Sequence, residues 1–415
     1  MAEVMSLAID SIAAGGDGVG RSNGLVVFVP RTAPGDVVTV QIAGRGHFAR
    51  GALRTVVTPS PSRIDPPCPH YKRDRCGGCQ VQHLTYDSQL AAKQLIIRDS
   101  LQRIGKRAVA APSVAASPKE WRYRTKLTLT LRRRGARWIA GLHPYDDPSR
   151  VFALADCPIT DSRVVAAWRE VMTADSFFPD APELRGSIRM TSGGATLLMM
   201  GGRSWAAREQ FRAATPSLSA VWWEPAEETR QARRLLYDKR ADRSPGASFA
   251  QVNAEMAEVL RAYVIERALA TNAATAVDAY SGAGEIAVAL SEAGIPMTAI
   301  ELDADACEWA ALKLKSPSRS ICARVEDVLA STLPADLVII NPPRAGVDAS
   351  VTDVLEQNAS TIRAVLYVSC NPATLARDLA RLPSFEIQSL QGFDMFPQTA
   401  HVETVCELRP TGRVA

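Results

Sequence analysis

The 415-residue sequence predicts an α/β protein: a Rossmann-like domain towards the C-terminus, a small OB-like β-barrel at the N-terminus and an α+β region between them. Three observations carry this. From Gly246 onward, apolar strand-like runs alternate with helical segments. A glycine loop, Ser281-Gly282-Ala283-Gly284-Glu285, follows one such strand, and an acidic residue, Glu301, ends the next about 20 residues later. Before residue 58, short apolar runs are broken by glycine at the spacing of a small barrel. The expected domains are residues 1–60, 61–245 and 246–415.

Composition narrows the function classes. With 47% hydrophobic and 22% charged residues, the chain is built for a globular core, not for disorder. It has no apolar run of about 18 residues, so no membrane-spanning helix is expected. Met1-Ala2-Glu3-Val4 lacks the basic-then-apolar pattern of a signal peptide, and a cytoplasmic monomer is the expectation. A net charge of +4 is compatible with a polyanionic partner. Eight cysteines in a cytosolic context suggest metal binding or catalysis, not disulfides.

Taken in order, Gly15 to Arg21 reads as a tight turn-rich loop, followed by strands at Leu25–Pro30, Asp36–Val40 and Gly51–Val57. The glycines precede strands, not a helix, so they are not a dinucleotide fingerprint. This first region resembles a TRAM domain, a small RNA-binding barrel. Arg21, Arg31, Arg45, His47 and Arg50 are its candidate phosphate contacts. After a proline-rich linker comes Cys68-Pro69-His70, then Cys76-Gly77-Gly78-Cys79. Two cysteines around Gly-Gly can reach one metal centre, and the glycines free backbone N–H groups to approach sulfur. Cys157 is the candidate fourth ligand, with His70 and His83 as alternatives. Four thiolates suit zinc or an iron–sulfur cluster, and spacing leaves that choice open. Residues 86–105 read as a helix with Leu90, Ile97, Leu101 and Ile104 on one face and Gly105 closing it. Trp121 to Lys126 interleaves arginine with aromatic residues, which suits base stacking or equally a structural strand edge. Alternation at Leu127, Leu129 and Leu131 predicts a strand with one wet face.

In the last region, Ala276–Tyr280, Met297–Ile300 and Leu337–Ile340 read as strands. The strings D-A-Y-S-G-A-G-E and I-E-L-D resemble a class I S-adenosylmethionine-dependent methyltransferase fold. That likeness implies Glu301 at the ribose hydroxyls, the glycine loop at the amino-acid part, and Glu326-Asp327 at the adenine. Asn341-Pro342-Pro343-Arg344 ends the fourth strand; alone, it also fits an exocyclic-amine methyltransferase, which normally carries an aromatic where Arg344 stands. Cys370 follows the buried run Val365–Val368 and precedes a helix that begins after Asn371-Pro372, which would favour a thiolate. A thiol beside a methyl-donor site suits a carbon target. C5 of uracil becomes nucleophilic only after a thiolate adds to C6, and a base must later remove the C5 proton. Glu403, with His401 as the alternative, is the candidate base, both expected on one strand face.

Taken together, Y-V-S-C-N-P-A-T-L-A-R-D-L, N-P-P-R-A-G and D-M-F-P-Q-T-A-H-V-E resemble the bacterial RNA uracil-C5 methyltransferase family of tRNA and rRNA enzymes. C-P-H…C-G-G-C-Q-V-Q-H is similar to the cluster-binding string of its rRNA members. The resemblance implies Cys370 as nucleophile, Glu403 as base, and a [4Fe-4S] cluster on Cys68, Cys76, Cys79 and Cys157. It implies S-adenosylmethionine contacts from Gln251, Tyr280, Glu285, Glu301, Asp327 and Asn341. Much of the family has Asp where this chain has Asn341, and some members have Asn where it has Glu285. The implied substrate is a uridine in structured RNA, 23S rRNA first and tRNA as the alternative. A cytosine-C5 or exocyclic-amine RNA methyltransferase, or a non-catalytic RNA-binding iron–sulfur protein, are the other readings.

Overall fold

The computed structural model describes residues 3–43, 48–226, 233–241 and 251–412. Five strands, Glu3–Ile12, Gly18–Ser22, Leu25–Val29, Val37–Ala43 and Phe48–Thr58, close into a barrel. Its interior is filled by alternate residues, among them Leu7, Ile9, Val27, Val29, Val38 and Val40. The segment expected as a loop is half strand: Gly18–Ser22 pairs with both neighbours. The glycine at 20 is there for closeness, since a Cβ would lie 2.3 Å from the Ala8 carbonyl oxygen.

A second sheet has seven strands in the order Arg234–Asp238, Leu218–Glu224, Gly194–Met200, Glu183–Thr191, Lys126–Arg134, Arg137–Leu142 and Phe152–Ala153. Leu127, Leu129 and Leu131 point into its core against Trp168 of the helix Ser162–Thr173, as the alternation predicts.

The third sheet has eight strands. Arg319–Cys322, Met297–Glu301, Ala276–Ala279, Leu337–Ile340 and Ala364–Ser369 run parallel. Glu403–Pro410 and Phe385–Phe393 follow antiparallel, and Val114–Ala115 adds an edge. Chain order reverses at Ala276–Ala279, so a crevice opens beyond the C-terminal ends of the central strands. The strand Ala364–Ser369 is wholly buried, which explains its continuous apolar run. Helix Tyr86–Arg103 packs on this sheet, its Ile97 and Leu101 meeting Leu375, Ala376 and Leu379. Gly105 follows the cap Ile104 and closes the helix, as expected, but the left-handed residue is Lys106 (φ 54°); a Cβ at Gly105 would come within 3.0 Å of the Ala376 carbonyl oxygen. No helix among the described residues is long and apolar enough to cross a membrane.

Candidate active site

Cys370 and Glu403 are brought together by strand register. Ser369 pairs with Thr404 across antiparallel strands, so the next residue in each direction, Cys370 and Glu403, face one another at the mouth of the sheet. Asn371 then caps helix Pro372–Leu379, its Oδ1 accepting from the Ala373 N–H at 3.1 Å. The loop after Leu337–Ile340 is docked onto that helix. Buried Asp378 accepts from the Val347 N–H (3.0 Å) and the Tyr367 hydroxyl (2.7 Å), and Arg377 donates to the Ala345 carbonyl at 2.8 Å. Gly346 (φ 79°) sits where a Cβ would be 2.3 Å from Asp378. These contacts explain the R-A-G and A-R-D strings: they hold Arg344 beside the thiol.

Electrostatics link the three groups. Burial lifts the Glu403 carboxyl from 4.5 to about 7, Arg344 opposing, and its Oε2 is buried with no hydrogen-bond partner. Burial and then the Glu403 charge push the Cys370 thiol up; Arg344, by charge and a hydrogen bond, pulls it down. The net direction is upward, opposite to the lowering expected from the helix alone. Burial beside Arg344, Lys93 and Arg124 drives His401 down to about 4. His401 lies in the turn before the strand, which begins only at Glu403, so the expected shared strand face is not formed.

That turn is anchored from the helix Tyr86–Arg103. Asp394 takes a buried ion pair from Lys93 and a hydrogen bond from the Tyr86 hydroxyl at 2.8 Å, while Gln89 bonds Gln398. Neither Arg344 nor the Lys93–Asp394 pair was singled out from sequence as part of the site; the Asp394-to-Val405 string was the only signal of the latter.

Around the crevice, Glu301 accepts from the N–H groups of Gly282, Leu302 and Asp303 at 2.8, 2.8 and 2.9 Å. Gly282 (φ 56°) faces open space, with nothing within 4 Å of an added Cβ. Beneath it, buried Asp278 has an unpartnered Oδ2, and burial lifts its carboxyl to about 7. Leu302 exposes 64% of its surface beside Glu301, an apolar face that sequence reasoning missed. Tyr280 is left-handed (φ 60°) at the strand end. Asn341 follows the neighbouring strand end, its N–H on the Ala279 carbonyl. Gln251 is half-buried just before Val252, whose carbonyl accepts from Thr125. Asp327 is exposed on the short helix Val325–Val328. Glu285 opens the helix after the glycine loop, and its exposed carboxylate pairs with Arg261 of helix Ala254–Ala270.

Cys76, Cys79 and Cys157 lie within electrostatic reach of Cys68 or of one another. The Gly78 N–H donates to Cys76 Sγ at 3.4 Å, the contact expected of the Gly-Gly turn. The histidine alternatives are occupied elsewhere: His70 bonds Asp74, and His83 uses both nitrogens, on Tyr71 (2.7 Å) and the Thr32 carbonyl (3.0 Å). Among the described residues, no group of three or more His, Cys, Asp or Glu is arranged to hold a metal ion. Arg31, a candidate phosphate contact, and Arg122, of the string open between stacking and a structural edge, both make structural contacts. Arg31 donates to the carbonyls of Tyr71 (2.6 Å) and Cys76 (2.8 Å) and lies over the Tyr71 ring. Arg122 holds Asp156 and the Cys157 carbonyl. Arg21 and Arg50 are on the barrel surface beside Asp10 and Asp17; Arg45 and His47 lie outside the described residues.

The architecture is a class I S-adenosylmethionine-dependent methyltransferase fold preceded by a barrel, with a cysteine just beyond the C-terminal end of a central strand. The family model for tRNA (Uracil-5-)-methyltransferase matches residues 316–409, and that for the TRAM domain matches residues 3–52. Uncharacterized RNA methyltransferases from Thermosynechococcus vestitus and Gloeobacter violaceus are each 31% identical, covering 97% and 98% of this chain and 97% and 96% of theirs. The crystal structure of the Pyrococcus abyssi tRNA (uracil-54, C5)-methyltransferase with S-adenosyl-L-homocysteine superimposes with a TM-score of 0.68. It is 22% identical and covers 97% of this chain and 100% of that one, so the likeness concerns the fold. The chain belongs to the RNA uracil-C5 methyltransferase family.

Proposed function

We propose that this protein methylates C5 of a uridine in structured RNA, with 23S rRNA as the substrate, using S-adenosylmethionine. The observation that carries the proposal is the register that sets Cys370 against a buried, unpartnered Glu403 with Arg344 alongside. The crevice suits the cofactor: an open glycine, the acidic turn of Glu301 for ribose hydroxyls, and exposed Leu302 for an adenine face. Tyr280, Gln251, Asn341, Asp327 and Glu285 are its proposed further contacts, Glu285 also pairing with Arg261. S-adenosylmethionine bound there supplies the methyl group. Solvent takes the Cys370 proton, Arg344 stabilises the resulting thiolate by charge and a hydrogen bond, and the sulfur adds to C6 of a uracil swung out of the RNA. Asn341 donates to O4 and accepts from N3–H. Glu403, relieved of its buried charge when it takes the C5 proton, then lets the sulfur leave. An amide at 341 can also flip to suit cytosine, so the product base is part of the test.

The four cysteines are proposed to hold a [4Fe-4S] cluster that cross-links their loops. The donor set fits: thiolates only, an N–H···S contact, and two guanidiniums on the loop carbonyls to offset negative charge. The barrel and the middle sheet form the RNA-holding surface, the chain dividing functionally at about residues 60 and 245. Replacement of Cys370 by Ala should abolish tritium transfer from labelled S-adenosylmethionine to unmodified RNA while cofactor binding persists. Substantial residual turnover would sink the mechanism and revive methylation of an exocyclic amine.

A further inference from the structure

Two cysteines that the reaction does not use meet at the ribose end of the crevice. Cys307 is buried in helix Ala304–Ala311, and Cys322 is exposed at the end of strand Arg319–Cys322. Register places Cys322 directly beside Glu301. The two thiols are interacting neighbours, and each donates its S–H to a carbonyl of the same acidic turn: Cys307 Sγ to Glu301 O at 3.2 Å, Cys322 Sγ to Leu302 O at 3.7 Å. We propose that Cys307 and Cys322 are a peroxide-oxidisable dithiol whose disulfide loosens the Glu301–Asp303 turn and weakens cofactor binding. The effect on the cofactor rests on the reading of this crevice as the S-adenosylmethionine site.

The roles of the two sulfurs follow from their surroundings. Exposed Cys322 is the one a peroxide reaches: its thiolate attacks one oxygen, the O–O bond breaks, and sulfenic acid and hydroxide form. Burial and the neighbouring Cys322 lift Cys307 to about 12, which makes it a poor first nucleophile. It is placed to resolve the sulfenic acid. The S–S bond forms, the S–O bond breaks, and hydroxide takes the Cys307 proton as water. Overall, two thiols and one hydrogen peroxide give one disulfide and two waters. Both S–H donors to the turn are lost, leaving the Glu301 and Leu302 carbonyls without them.

The test treats the full-length protein with limiting hydrogen peroxide, maps its peptides by mass spectrometry, and titrates S-adenosylmethionine by calorimetry before and after dithiothreitol. A Cys307–Cys322 peptide pair is expected, with the Kd raised about fivefold, equivalent to about 1 kcal/mol, and restored by the reductant. Cys322→Ser protein should keep its Kd through the same treatment. A Cys322 sulfinic acid with no peptide pair, an equal change in Cys322→Ser, or a disulfide that leaves Kd unchanged would each overturn the proposal. Reduced protein that binds no S-adenosylmethionine would instead refute the reading of the crevice, while the peptide map still decides whether the dithiol exists.

Discussion

Substituting Glu403 by Gln should change how stability depends on pH. In the folded protein burial raises this carboxyl from 4.5 to about 7, with Arg344 only partly compensating. Between those values the folded state binds more protons than the unfolded one. The stability it permits is therefore complete below about pH 4.5 and falls as pH rises through about 7. At about 1.36 kcal/mol per unit, the wild type should lose about 3 kcal/mol on going to about pH 8.5 that the Gln protein cannot lose. Asp278 carries a similar shift in both proteins, so it cancels. Urea unfolding of both proteins at about pH 5 and pH 8.5 gives a double difference free of any pH-independent cost of the amide. Removing the Glu403 charge should also make Cys370 more acidic, read as a lower midpoint for its alkylation by iodoacetamide. Parallel stability profiles for the two proteins would refute the buried, uncompensated carboxyl.

Asp394→Asn should strand the buried Lys93 ammonium and cost about 3–5 kcal/mol, seen as a fall in Tm, while adding Lys93→Met recovers much of it. With wild-type protein, kcat/KM should climb with pH through about 7 as Glu403 loses its proton, and keep climbing because Cys370 titrates higher still. Glu301→Gln should weaken S-adenosylmethionine binding in calorimetry, since the carboxylate organises three N–H groups of the pocket. Anaerobically purified protein should contain iron and sulfide in equal amounts, and Cys76→Ser should lower both; one zinc with no iron would overturn the cluster.

Much of the site was legible because its signals are local. The run Val365–Val368 is a central strand with both faces covered, and Cys370 had to fall at its end. Leu337–Ile340 and Met297–Glu301 likewise end where their Asn and Glu lie. What failed depended on distant partners. Arg31 is a candidate phosphate contact by sequence and the Arg122 string is open between stacking and a structural edge; their guanidiniums close on backbone carbonyls 40 and 35 residues away. Alternation placed His401 and Glu403 on one face, but the Phe396–Gln398 segment is pinned by Lys93, Tyr123 and Gln89, and residues 399–402 stay outside the strand. A helix dipole argued for a thiolate at Cys370; burial and the facing carboxylate, neither visible in a linear motif, argue more strongly the other way.

The central claim is a covalent bond between Cys370 and the target base, and Glu403→Gln protein tests it most directly. Incubated with S-adenosylmethionine and unmodified ribosomal RNA, it should accumulate a protein–RNA band on a denaturing gel. Digestion should then yield a peptide containing Cys370 joined to a 5-methylated uridine adduct. If that protein transfers methyl groups yet leaves no shifted band, or if the methylated product is 5-methylcytidine or an N-methylated base, the account is wrong.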